Sequence, residues 1–146
     1  MIVILLDKKI ESAHPVDVLF EAKKLSKRQL AILDKLKGYG SQVIVKKRDV
    51  SMLDLAAMTA ATGDEFAMFT RTGERLIVRG NSINVPLNKF ELIGLCKAGY
   101  RFSGHTHPGF SDASLLISDG DKMALEIFDQ KRSVVYNAVG RFKLVE

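Results

Sequence analysis

Behind Ser26, apolar residues recur at helical spacing as Leu30, Leu33 and Leu36, with Ile32 beside them, until Gly38 and Gly40 interrupt. Ser26-Lys27-Arg28-Gln29 has the form of a capping box, so the pattern predicts a helix over 27–37. A shorter helical run is expected before it, after Pro15, carried by Val18, Leu19, Ala22 and Leu25. Gln42-Val43-Ile44-Val45 is short and β-branched, which predicts a strand. Ser51-Met52-Leu53-Asp54 then opens a helix through Leu55-Ala56-Ala57-Met58 to a glycine stop at Gly63. Two apolar runs, 65–70 and 75–79, flank Arg71-Thr72-Gly73-Glu74, a turn with the glycine a short hairpin loop requires. Asn88 and Glu91 cap another helix, with Leu92, Ile93, Leu95 and Cys96 inside it and Gly99 closing it. Residues 100–107 form a strand that ends at Pro108, Ser118 caps a helix holding Ala124, Leu125, Ile127 and Phe128, and a last hairpin turns around Gly140. Helices interleave with hairpins and no internal repeat appears. The fold class is therefore α+β, a mixed β-sheet of hairpins flanked by helices, with an N-terminal helical extension.

The chain has 146 residues, 47% of them hydrophobic, which suits one domain with a core that needs no disulfide or metal clip and excludes disorder as the main state. The apolar start Met1–Leu6 leads directly into Asp7-Lys8-Lys9; it is too short to span a membrane and lacks the parts of a signal peptide. A single cysteine, Cys96, excludes an internal disulfide and every cysteine-based zinc cluster. Any metal must be held by histidine and carboxylate. The net charge of +5 is uneven: residues 1–50 carry eleven Lys/Arg against six Asp/Glu, while the remainder carries eleven of each. These charges are spread over helix-patterned sequence and read as a solvated face, so residues 1–40 form a basic helical extension and 41–146 the domain that carries chemistry. Nucleic-acid binding through residues 8–48 would rest on charge alone, with only Phe20 and Tyr39 for base stacking, and ranks last. His14 reads as surface.

His105 and His107 are the centre of the chemistry. Two apart on a strand, they project from one face while Thr106 points away, so both imidazoles can meet one ion. Pro108 biases His107 towards extended backbone and ends the ladder. A catalytic zinc site takes three protein ligands and an open position, and two His with a carboxylate is an accepted set. Asp121 is the best third ligand, because it sits on the first turn of the helix that Ser118 opens; Asp112 and Asp119 are its rivals. Separately, a His-x-His pair is ordinary, and Ser118-x-x-Asp121 is also a helix cap. Together and in order, with an acid opening an earlier strand, they are much rarer.

Glu65, then His105-Thr106-His107-Pro108, then Ser118-x-x-Asp121 resembles the signature of the JAMM metallopeptidases, the JAB/MPN superfamily. The resemblance spans 65–121 and, with the flanking hairpins, 41–146. It implies a β-sheet flanked by helices, one Zn²⁺, and hydrolysis of peptide or isopeptide bonds, including those joining ubiquitin or ubiquitin-like proteins to lysine. The segments 62–69 and Gly104-His105-Thr106-His107-Pro108-Gly109 are in addition similar to JAB-like domains at the ends of bacterial polymorphic toxins. The short apolar start, which is neither signal peptide nor span, suggests a chain acting in the cytoplasm with no membrane partner, while the likeness allows export as part of a larger toxin and implies a protein or peptide substrate. Carried over residue by residue, it gives His105, His107 and Asp121 as ligands, Glu65 as general base and Ser118 as stabiliser of the oxyanion. Zinc chemistry agrees with this assignment, since bound zinc lowers the pKa of water to about 7 and a nearby carboxylate can take the proton. Glu65 follows the Gly63-Asp64 break and can sit at a sheet edge facing the histidines; Glu74, at the hairpin tip, is the alternative base.

Two features depart from the family pattern. Nine residues separate Pro108 from Ser118, and Ile117 stands where a small residue or proline is usual. They imply a longer loop over the site, Asp119 as ligand, or a degenerate site. The competing function from another class is a non-catalytic JAB-like binding or toxin-associated module. A zinc deaminase is disfavoured because it requires His-x-Glu with Pro-Cys-x-x-Cys.

Overall fold

The computed structural model describes residues 3–5 and 24–146. The short helical run expected after Pro15 and His14 lie outside the described residues, apart from the end of that run at Leu25. The described elements are strand β1 (Val3–Leu5), helix α1 (Lys27–Asp34), β2 (Gln42–Lys46), α2 (Met52–Thr62), β3 (Phe66–Arg71), β4 (Glu74–Arg79), β5 (Asn84–Asn88), α3 (Lys89–Lys97), β6 (Arg101–His107), α4 (Asp119–Phe128), β7 (Ser133–Asn137) and β8 (Phe142–Val145). Single turns of 3₁₀-helix cover Lys47–Asp49 and Asp112–Leu115.

Each helix starts where its cap predicts. Ser26, Ser51, Asn88 and Ser118 all accept from the backbone N–H three residues on, while the residue there reaches back to the cap's own N–H. Such reciprocal caps satisfy amide protons that the first turn leaves without partners. Gly63 ends α2 at φ 78°, a left-handed conformation that favours glycine.

Six strands form one sheet in the order β2-β4-β3-β6-β7-β8. All neighbours are antiparallel except β6 and β7, and a parallel pair needs a long crossover, here supplied by α4. The class is α+β with a mixed sheet flanked by helices. A second ladder, β1 with β5, is antiparallel and was not predicted. Val85 and Leu87 are buried and alternate with outward neighbours, but Pro86 between them masks the strand pattern.

Strand β3 shows how the layers are built. Phe66, Met68 and, on β4, Ile77 face one side, where they pack with Ile32 and Leu36 of the α1 region and Leu55 and Met58 of α2. Ala67, Phe69, Leu76 and Val78 face the other side, with Leu92 of α3 and Ala124, Leu125 and Phe128 of α4. The period of two sends alternate residues into two cores, so a central strand buried on both faces reads as a continuous apolar run. In the second core Phe69 lies 5.2 Å from Phe102 and 5.6 Å from Phe128, ring centre to ring centre. This aromatic cluster seats α4 against β6.

Candidate metal centre

Strand β6 delivers the histidines, and a bulge aims them. Met68 pairs with Gly104 and Phe69 with Phe102, so Ser103 is an extra residue in the ladder. In a regular strand Phe102 and His105 would point to opposite faces; the extra residue brings both to the α4 side. Their rings stack with centres 5.9 Å apart. Thr106 points the other way, into α2, where its Oγ1 pairs with Thr59 Oγ1 at 2.5 Å and accepts from the Phe66 N–H at 2.9 Å. Gly104 permits the close packing of β7 and α2 here, because a Cβ there would lie 2.5 Å from the Val134 carbonyl oxygen and 3.3 Å from Met52 Cε.

Helix α4 delivers the carboxylate. Its buried residues are Asp121, Ala124, Leu125 and Phe128, the i, i+3, i+4, i+7 stripe of an amphipathic helix. Asp121 heads that apolar stripe, so the packing that buries Phe128 also carries Asp121 over the β6 histidines. The cap then orients the carboxylate: Oδ2 accepts from the Ser118 N–H at 2.8 Å, while Ser118 Oγ accepts from the Asp121 N–H at 3.2 Å.

The remaining oxygen faces the imidazoles. His105 Nε2 lies 3.3 Å from Asp121 Oδ1 and 3.1 Å from His107 Nε2. All three side chains are 0% exposed, and their ligand atoms all lie within 4.8 Å of one another. Metal bonds of about 2.0–2.1 Å at tetrahedral angles place neighbouring ligand atoms about 3.3 Å apart, which the two separations from His105 Nε2 match. His107 Nδ1 donates to the Ser114 carbonyl at 2.5 Å, which fixes its tautomer and leaves the Nε2 lone pair for an ion. Burial, helped by the neighbouring His105, holds His107 neutral with its pKa lowered to about 3. For Asp121, burial pushes upwards but is outweighed by the neighbouring His105 and by the Ser118 N–H, leaving the carboxyl below its usual range. Neutral imidazole and ionised carboxylate are the metal-binding forms. Among the described residues, neither Asp121 Oδ1 nor His105 Nδ1 has a hydrogen-bond partner. A buried carboxylate oxygen without a donor is costly unless a cation meets it. The residues present fit a metal ion.

The alternatives separate on geometry. Asp119 is exposed at the start of α4 and is not in the cluster, and the backbone of Asp112 lies in the 3₁₀ turn of the preceding loop. Glu65 precedes β3 and is fully buried. It does not sit at a sheet edge, because β3 is an interior strand flanked by β4 and β6; its backbone is fixed by bonds to Asn81 and Gly80. Continuing the register two residues beyond the Ala67–His105 pair brings Glu65 level with His107 on the same face. Glu74 pairs with Arg71 at the other end of β3, about 13 Å along the strand from the level of His105 at the usual rise, and is held there by Tyr100 and Arg71. Two participants escaped the sequence reading. Ser114 acts through a backbone carbonyl, which leaves no residue-type signal, and Thr59 is an unremarkable helix residue until α2 is packed on β6. No protein-family model, curated protein or solved structure matches the chain.

Proposed function

We propose that this chain is a zinc-dependent hydrolase of the JAMM type, cleaving a peptide or isopeptide bond in a protein or peptide substrate. One observation carries the reading: two histidine Nε2 atoms and a carboxylate oxygen converge in a fully buried cluster at the spacing of metal ligands. His105, His107 and Asp121 would hold the ion, and three protein ligands leave a position open, the pattern of catalytic rather than structural zinc. Bound Zn²⁺ supplies Lewis acidity, towards both water and a carbonyl.

The protein's own groups divide the remaining work. Glu65, level with His107 on the same face, takes a proton from water and returns it to the leaving amine. Phe102, stacked on His105, and the core beneath keep the cluster dry, which strengthens each electrostatic contact within it. Ser118 contributes at the N-terminus of α4, where the helix dipole favours developing negative charge. Substrate classes that fit include linear peptides and ubiquitin-like conjugates.

The test compares two substitutions. Glu65→Gln keeps size but cannot take a proton, so zinc stays at one per chain while hydrolysis falls roughly 10²–10⁴-fold. His107→Ala removes the zinc and the activity together. A Glu65→Gln protein that cleaves at the wild-type rate contradicts the assignment. A wild type that holds zinc and cleaves nothing favours the binding-module function.

A further inference from the structure

The three ligand residues are fully buried, and a centre with no exposed side chain exchanges its ion only if something moves. We propose that residues 108–117 are a strap that gates passage to the metal centre, with the Asn137 side chain as its latch; this rests on the metal reading above. The strap leaves β6 directly after His107. Pro108 and Gly109 are buried, and Gly109 adopts φ 120°, a conformation that side-chain-bearing residues rarely take and a natural pivot. Ser114 returns over the site to accept from His107, and Leu115 is buried in the α4-side core. The strap's outer side chains, Phe110 and Leu116, are 38% and 55% exposed, so they do not hold it down.

Besides the burial of Leu115 and the packing of Ile117 on the same core, polar contacts among the described residues hold it. The Ala138 N–H donates to the Gly109 carbonyl at 2.9 Å, Asn137 Nδ2 donates to the Ser111 carbonyl at 3.2 Å, and Ser114 Oγ donates to the same carbonyl at 2.6 Å. Asn137 is fully buried and level with His107 in the parallel ladder. Its amide is divided between two tasks: Oδ1 accepts from the Val139 and Arg141 N–H groups of the last turn, while Nδ2 alone reaches the strap. The latch can therefore be broken at one atom with the turn's acceptor retained.

The experiment measures zinc uptake by metal-free protein and zinc loss to excess chelator, with the dissociation constant determined separately. A gate is a kinetic device: opening it more often speeds uptake and loss by one common factor and leaves the equilibrium affinity in place. Asn137→Asp keeps the Oδ1 acceptor and replaces the Nδ2 donor with an oxygen. Both rates are expected to rise roughly 3–10-fold, the range for losing one hydrogen bond; because the added carboxylate can itself draw the cation, constancy of the dissociation constant, within about twofold of wild type, is required of Ser114→Ala, which adds no charge. Should the buried aspartate prevent folding, Ser114→Ala loosens the strap from within and decides the matter, since the carbonyl that meets His107 remains. Loss that quickens while affinity weakens by the same factor and uptake stays constant means displaced ligands and overturns the gate. Rates unchanged in the folded variants overturn it as well. A wild type that takes up no zinc overturns the metal reading and the strap with it.

Discussion

Asp121 uses its two oxygens for different purposes, one closing the helix cap with Ser118 and one facing the histidines. Asp121→Asn retains an acceptor for the Ser118 N–H but loses the charge. It should leave the protein folded, with a thermal midpoint near that of the metal-free wild type, and weaken zinc binding by orders of magnitude; calorimetric titration of both proteins checks this. Ser118→Ala should cost about 1 kcal/mol, the usual value of a serine cap, and retain zinc at one per chain. Of the residues at this centre, the histidine pair was legible because strand alternation puts i and i+2 on one face. Asp121 was legible because it starts the helix, and its place at the head of an apolar stripe is the stronger signal. The edge position expected for Glu65 was wrong, since strand order is a long-range property that a local pattern does not encode.

At the scale of elements, caps and glycine stops marked the helices because they are local chemistry. The bulge in β6 was missed, although Gly104 inside a strand hinted at it. With Ser103 in regular register, Phe102 and the histidines would point to opposite faces, so the stacking of Phe102 on His105 depends on that irregularity. Gly104→Ala would drive a methyl into the Val134 carbonyl. It should destabilise by about 2–3 kcal/mol, as overpacking of a tight core does, and displace the histidines; denaturant unfolding and zinc affinity report the two effects. Helix α2 has its own anchor. Burial pushes the Asp54 carboxyl upwards, but hydrogen bonds from Arg28, Gln29 and the Ser51 N–H outweigh it and hold the group below the usual range. A carboxylate lowered in the folded state contributes stability that is present above its unfolded pKa of about 3.9 and is lost as pH falls through the folded value. Urea unfolding of Asp54→Asn should therefore fall below wild type near pH 7, by on the order of 1 kcal/mol because Arg28 is half exposed. The two curves should converge as pH falls through that lowered folded value.

Across the whole molecule, the site is an end-of-sheet construction: β6 brings the two histidines from one side, α4 brings Asp121 from the other, and the 108–117 loop returns to meet His107 through the Ser114 carbonyl. No helix among the described residues is long and apolar enough to cross a membrane. Strand β1 pairs with β5 and packs on α4, the helix that carries Asp121, but it contributes no residue to the His105, His107 and Asp121 cluster. Deleting residues 1–5 should lower stability by about 2 kcal/mol, from a few lost ladder bonds, and the thermal midpoint by roughly 4–8 °C. The metal content should stay at the wild-type level, and a folded truncation that loses zinc would show that this end supports the site. The most direct measurement is anomalous diffraction at the zinc absorption edge from crystals grown with zinc. One peak per chain is predicted, about 2.0–2.2 Å from His105 Nε2, His107 Nε2 and Asp121 Oδ1. Zinc bound elsewhere, or a peak that Asp121 does not touch, contradicts the account.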